Sequence, residues 1–147
     1  MRKYLFLCNL NLERSKFIEK YLRQLLKDKK KEGEIRTGGA DPLCVNYIDQ
    51  INLDWADVIF VLNEKPENLI KDKFSFDKNK IVNLDILDIY SYETGKFSHS
   101  ALDNTLDYLT SMGEEKEAER ISQKEEILDR LNLKDVLKKR NLEQYLD

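Results

Sequence analysis

The sequence predicts an α/β protein, a three-layer α/β/α fold around a four-stranded parallel sheet with extra helices after it. Three observations point there. Strand-like runs at residues 4–7, 34–37, 57–62 and 80–84 are separated by segments whose apolar residues recur at helical steps of three and four. Alternating strands and helices favour parallel pairing, because each crossover lays a helix on a sheet face. Residues 98–147 contain no strand-like run, yet keep apolar stripes amid their charges.

Tyr4, Leu5, Phe6 and Leu7 form a continuous apolar run, as expected of a strand buried on both faces. From Ser15 the period changes, and Phe17, Ile18, Tyr21, Leu22, Leu25 and Leu26 make one face of a helix that ends before Gly33. Glu34, Ile35, Arg36 and Thr37 read as a second strand, closed by Gly38, Gly39 and the turn pair Asp41 and Pro42. Tyr47, Ile48, Ile51 and Trp55 predict a short helix leading into residues 57–62, DVIFVL, the strongest strand of the chain.

Pro66 suits the first turn of a helix running to about Lys73. Residues 80–84, KIVNL, form the fourth strand, and a polar, tyrosine-rich loop follows from 85 to 97. Beyond it, Leu102, Leu106 and Leu109 mark a helix that Gly113 ends. Ala118, Ile121 and Leu128 mark a second, and Leu133, Val136 and Leu137 a third. Residues 1–97 are expected to form the α/β core, and residues 98–147 to complete or extend the same domain.

Composition narrows the function classes. The chain has 147 residues, 41% hydrophobic and 36% charged, as expected of a compact globular domain with one core. Its 25 basic and 28 acidic side chains are interspersed and leave a net charge of −3, with no basic stripe for nucleic acid. The dense run from 27 to 31 falls at a helix C-terminus, where lysines complement the dipole. No apolar stretch has the length of a membrane span, and the N-terminal run is too short for a signal peptide, so no membrane contact and a cytoplasmic address are expected. Two cysteines, Cys8 and Cys44, make no disulfide framework, and with the single histidine His99 they are too few for a zinc site. No metal or cofactor is expected.

The chemistry concentrates in residues 8–15, CNLNLERS. In a parallel α/β sheet, ligands bind beyond the C-terminal strand ends, where loops feed helix N-termini, and this segment lies at such a junction. Backbone N–H groups of Asn9, Leu10, Asn11, Leu12 and Glu13 can converge on one anion, with the helix dipole adding to their pull. The same field stabilises a thiolate at Cys8, a competent nucleophile. Arg14 can grip two anion oxygens in bidentate fashion, and Ser15 can donate a hydrogen bond to the sulfur. The loop lacks glycine, but asparagine also tolerates left-handed backbone, and Asn11 can brace the loop through its amide. The plainer alternative is a strand-to-helix turn in which Cys8 is the last apolar residue.

A thiolate attacking a phosphate ester needs an acid to protonate the leaving oxygen, and later a base to activate water. The loop after the fourth strand offers Asp85 and Asp88, either of which can instead be a turn or cap residue. Tyr90 and Tyr92 can wall the site or pack on the C-terminal helices.

With these pieces in this order, the chain resembles the low-molecular-weight protein tyrosine phosphatases, in which C-x5-R-S near the N-terminus forms the phosphate loop. Cys8, Asn11, Arg14 and Ser15 stand at the motif's positions, and DILDIY, residues 85–90, resembles the family's acid segment with Asp88 and Tyr90. Residues 54–64, DWADVIFVLNE, and 35–39, IRTGG, resemble its third strand and its second strand with glycine turn. The resemblance implies a flavodoxin-like strand order 2-1-3-4 and a metal-independent, tyrosine-type phosphomonoesterase working through a cysteinyl-phosphate. Cys8 is then the nucleophile, Arg14 the oxyanion grip and Asp88 the acid, with Asn9 to Ser15 and Tyr90 around the phosphate. It implies a phosphorylated protein or a small phosphomonoester as substrate.

The chain departs from better-known members. Leu10 and Glu13 stand where they carry glycine and a second cysteine, and Leu87 and Ile89 replace the prolines around the acid. Two other readings share the segment: an arsenate reductase of the same fold, for which Cys44 is the one further thiol, and a non-catalytic module that binds phosphate or a phosphoprotein. The C-terminal helices can complete the core or carry a homodimer or partner contact, and His99 reads as a surface residue at a helix start.

Overall fold

A computed structural model describes residues 1–8, 13–44, 46–90, 96–128, 130 and 132–146, with the side chains at 13–16, 126 and 127 left aside. Strands β1 (Arg2–Cys8), β2 (Gly33–Gly39), β3 (Val58–Val61) and β4 (Ile81–Asn83) form one sheet in the order β2-β1-β3-β4, and every pairing is parallel. This is the order 2-1-3-4 that the resemblance implies. Helices α1 (Glu13–Asp28), α2 (Gln50–Trp55) and α3 (Glu64–Lys73) alternate with the strands, and α4 (His99–Ser111), α5 (Glu115–Gln123), α6 (Glu125–Leu128) and α7 (Leu133–Arg140) follow.

The alternation of side chains along β1 divides the core. Leu5 and Leu7 join Ile59, Val61, Leu53, Ala56 and Ile70 on the face covered by α2 and α3. Tyr4, Phe6 and Cys8 join Phe60 on the opposite face, where α1 contributes Ile18, Leu22 and Leu26, one helical stripe. The same cluster takes in Leu102 of α4, Ile121 of α5 and Leu133, Val136 and Leu137 of α7. The C-terminal helices thus share the core of the sheet. Lys29 and Lys31, at the end of α1, meet the chain's last turn through Glu143 at 3.3 Å and the Leu146 carbonyl at 3.3 Å. No helix is long and apolar enough to cross a membrane among the described residues.

Several boundaries differ from the sequence expectation, each for a local reason. β2 runs through Gly38 and Gly39 instead of closing before them, because Gly39 pairs with Cys8 on one side and on the other donates to Asn46 and accepts from Ile48. Gly33, the first residue of β2, lies against a ring: a Cβ there would stand 2.8 Å from Cε2 of Tyr4. α2 starts at Gln50, not at Tyr47, because the Asp49 carboxylate accepts from the Asn52 amide at 2.8 Å and caps it. Asp57 stands outside β3, receiving the Lys3 amide on its carboxylate at 2.9 Å. Lys80 ends a 3₁₀ turn, Lys78–Lys80, so β4 begins one residue later.

The helix expected through Ala118, Ile121 and Leu128 is two helices, α5 and α6. They part at Lys124, whose amide turns back to the Ile121 carbonyl three residues earlier at 3.0 Å, with φ −96° and ψ 5°. Gly113 behaves as expected, taking φ 77° beyond the end of α4.

Candidate functional site

Strand order reverses direction between β1 and β3, since the chain moves from β1 outward to β2 and then crosses back to β3 and β4. In open parallel sheets the crevice at such a reversal, beyond the strands' C-terminal ends, is where ligands bind. Cys8 is the final residue of β1 and is 2% exposed. Its carbonyl accepts from the Ala40 amide at 2.9 Å, which holds the start of the turn after β2 against the end of β1.

The first turn of α1 contains Glu13, Arg14 and Ser15. A strand end, a short link and a helix N-terminus therefore follow one another as expected. Asn9, Leu10, Asn11 and Leu12 lie outside the described residues, as do the side chains of Glu13, Arg14 and Ser15 and the whole of Tyr92.

The loop after β4 is drawn toward this crevice by a run of backbone bonds. The Leu62 amide donates to the Leu7 carbonyl at 3.1 Å, and the Ile86 amide donates to the Leu62 carbonyl at 2.9 Å, so the loop bonds to the end of β3 directly beside β1. Asn63, the N-cap of α3, donates its Nδ2 to the Ile86 carbonyl at 3.0 Å while its Oδ1 accepts from the Lys65 amide.

The two aspartates of this loop have different surroundings. Asp85 is exposed, adopts φ 50°, and its amide donates to Asn83 Oδ1 at 2.8 Å. It is a turn residue, one of the two roles open to it from sequence. Asp88 is half-buried, and its carbonyl accepts from Thr105 Oγ1 of α4 at 3.1 Å.

Tyr90 is 4% exposed and belongs to the apolar cluster that contains Leu133, Val136 and Leu137. Burial pushes its phenol above the ordinary value of 10.0, opposed by Arg140 and helped by Asp135, both on α7. A raised folded-state value means that the unfolded chain ionises first. Tyr90 therefore adds stability that is complete below about pH 10 and is lost as the pH rises through its folded value. Burial also raises the Tyr21 phenol, so we expect phenolate absorbance to show more than one tyrosine titrating later than the exposed ones, and Tyr90→Phe to remove one of these late steps; an unchanged titration would contradict the burial.

Cys44 lies in the turn after β2, half-buried rather than fully buried. Burial pushes its thiol up, the Asn46 backbone bond opposes this, and the neighbouring Cys8 and Asp41 add to the rise. His99 opens α4 as a surface residue and faces Glu125 at 3.2 Å. Among the described residues, no group of three or more His, Cys, Asp or Glu side chains is arranged to hold a metal ion.

Sequence reading missed three residues that shape the loop: Asn63, Thr105 and Arg140. Asn63 carried a signal, an asparagine just before a helix with acidic residues in its first turn. Thr105 falls within the apolar stripe of α4 between Leu102 and Leu109, where a hydroxyl calls for a partner. Arg140 looked like an ordinary basic residue in the last turn of a helix.

Known structures share this architecture. The YwlE mutant from Bacillus subtilis superposes with a TM-score of 0.56 at 16% identity, over 83% of this chain and 99% of that one. A low molecular weight protein tyrosine phosphatase from T. tengcongensis gives 0.54 at 16% identity, over 76% and 99%. The YwlE arginine phosphatase, as a cysteine-to-serine mutant with a phosphorylated active-site serine, gives 0.53 at 14% identity, over 82% and 95%. No protein-family model matches the chain, and no curated protein matches it in sequence. The chain therefore has the fold of the low molecular weight protein tyrosine phosphatases, shared at low sequence identity.

Proposed function

We propose that the chain is a phosphatase that hydrolyses a phosphorylated substrate through a cysteinyl-phosphate, using no group beyond its own side chains and water. The observation that carries this reading is the position of Cys8, at the end of β1 where the strand order reverses, ahead of α1 in the chain and next to the end of β3, to which the loop bearing Asp88 bonds. In the structural neighbour with a phosphorylated active-site serine, the serine replaces a cysteine.

In the proposed reaction, the Cys8 thiolate attacks phosphorus and forms an S–P bond as the bond to the leaving atom breaks. Asp88 gives its proton to that leaving atom. Water then attacks phosphorus, Asp88 takes a proton from it, the S–P bond breaks, and inorganic phosphate departs with Cys8 again a thiolate. Arg14 holds the equatorial oxygens in both steps, the N–H groups of positions 9–15 and the dipole of α1 offset the charge, and Ser15 supports the sulfur. Tyr90 then acts from the core, where burial of its ring fixes the end of the acid loop.

The substrate class is a phosphorylated protein side chain, phosphotyrosine or, as the name of one structural neighbour suggests, phosphoarginine. The two differ at the leaving atom, a phenol oxygen or a guanidinium nitrogen, and only the first is an ester. The test is acid quenching of the enzyme during turnover of a phosphotyrosine peptide and of a phosphoarginine peptide, with chelator present. Mass spectrometry should find one phosphoryl group on Cys8 with at least one of them. Tight phosphate binding without turnover would support the binding-module reading instead, and thioredoxin-coupled arsenate reduction would support the reductase.

A further inference from the structure

We infer that the C-terminal helices position the acid: Arg140 of α7 and Thr105 of α4 are positioning residues that hold the loop bearing Asp88, a role that the missing prolines at 87 and 89 leave open. This rests on the proposed assignment of Asp88 as the acid. A loop carrying a general acid must keep the carboxyl within hydrogen-bond reach of the leaving atom, and a small misplacement costs rate steeply. With Leu87 and Ile89 in place of prolines, the backbone dihedrals of this loop are not restricted by rings.

Backbone tethers take their place. The Leu84 carbonyl accepts from Arg140 Nε at 2.6 Å, and the Asp85 carbonyl from Arg140 Nη2 at 2.9 Å, so one planar guanidinium spans two successive carbonyls. The Asp88 carbonyl accepts from Thr105 Oγ1 at 3.1 Å, a hydroxyl whose single proton is shared with the Ala101 carbonyl at 2.9 Å. Ser98, the cap of α4, donates its amide to the Ile89 carbonyl at 2.8 Å. Asp85 turns at φ 50° between Asn83, which accepts its amide, and Arg140, which holds its carbonyl. The tethers come from residues 98–140, so the C-terminal helices fix the loop as well as covering the sheet.

Leaving-group dependence separates positioning from mere stability. An aryl phosphate with an acidic phenol leaves without much help, whereas phenyl phosphate needs a proton from the acid. Arg140→Gln and the near-isosteric Thr105→Val should each lower kcat for phenyl phosphate by about tenfold to a hundredfold, with much smaller losses for para-nitrophenyl phosphate. Inhibition by inorganic phosphate should stay unchanged, because the cradle is not touched. In the same variants, amide exchange should accelerate in the loop at Ile86, or at Ser98 whose amide bonds to the Ile89 carbonyl, while that of Leu62 stays protected. Equal losses for the two substrates, or unaltered exchange at Ile86 and Ser98 in both folded variants, would overturn the inference. If the unmodified protein turns over neither aryl phosphate, the tyrosine-type reading fails by itself, and the exchange measurement still decides whether these residues hold the loop.

Discussion

Cys8→Ser is expected to reduce turnover of an aryl phosphate by roughly 10⁴-fold or more, because the substitution removes the proposed nucleophile and leaves the surrounding shape almost unchanged. A serine hydroxyl at neutral pH is protonated and attacks phosphorus slowly. A thiol ionises far more readily, and the first turn of α1 lies ahead of it in the chain. The residue is 2% exposed within an apolar cluster, so the new hydroxyl also costs about 1–3 kcal/mol unless it finds a partner. Activity must therefore be read alongside a denaturation curve that shows the variant folded. Turnover within tenfold of the unmodified protein by a folded Cys8→Ser would remove the cysteinyl-phosphate from consideration. Cys44→Ser serves as the comparison: it alters the neighbouring thiol and leaves the proposed nucleophile in place.

Phe60→Ala is expected to be the most damaging single change to the fold, at about 3–5 kcal/mol. Phe60 is completely buried at the middle of β3, between the pairings with β1 and β4. Its ring stacks on Phe6 at 4.8 Å between centroids and 16° between planes, lies 6.2 Å from Tyr4, and meets the edge of Tyr145 at 5.7 Å. Truncation leaves a cavity bordered by two strands and by the last turn of the chain, Leu142–Tyr145, none of which can collapse into it without breaking sheet pairing. Against a total stability of about 5–15 kcal/mol, such a loss leaves little of the folded state. Phe60→Leu, which keeps most of the volume, should cost well under half as much. Equilibrium urea unfolding measures both, and a loss below about 1 kcal/mol for Phe60→Ala would show that this ring is not the centre of the core.

The two expected effects come from opposite ends of what the chain makes legible. Residues 4–7 and 57–62 stand out because central strands of a parallel sheet are buried on both faces and so read as continuous apolar runs. The short link between strand one and the following helix was legible for the same reason, as a sudden change from an apolar run to helical period. That pattern places Cys8 at a strand end. The edge strands were less clear. Glycines in β2 read as punctuation, because nothing local shows that Gly39 has partners on both sides and that Gly33 lies under the ring of Tyr4.

The places of the strands along the chain and the presence of a cysteine, an arginine and two aspartates near strand ends were legible in the sequence through hydrophobic period and motif spacing, and the spatial order 2-1-3-4 was implied by the family resemblance. Tertiary structure decided which of the two aspartates is a turn residue, that Tyr90 is a core side chain, and that the helices after residue 98 reach back to the loop. Arg140 bonds to carbonyls 56 and 55 positions away, and Thr105 to one 17 positions away. Local propensity and periodicity describe neighbours within a turn or two of the chain. A guanidinium bridging two carbonyls across the fold leaves no periodic trace, since its partners are backbone groups that every residue possesses, and only the packing of α7 against the sheet selects which of them it meets.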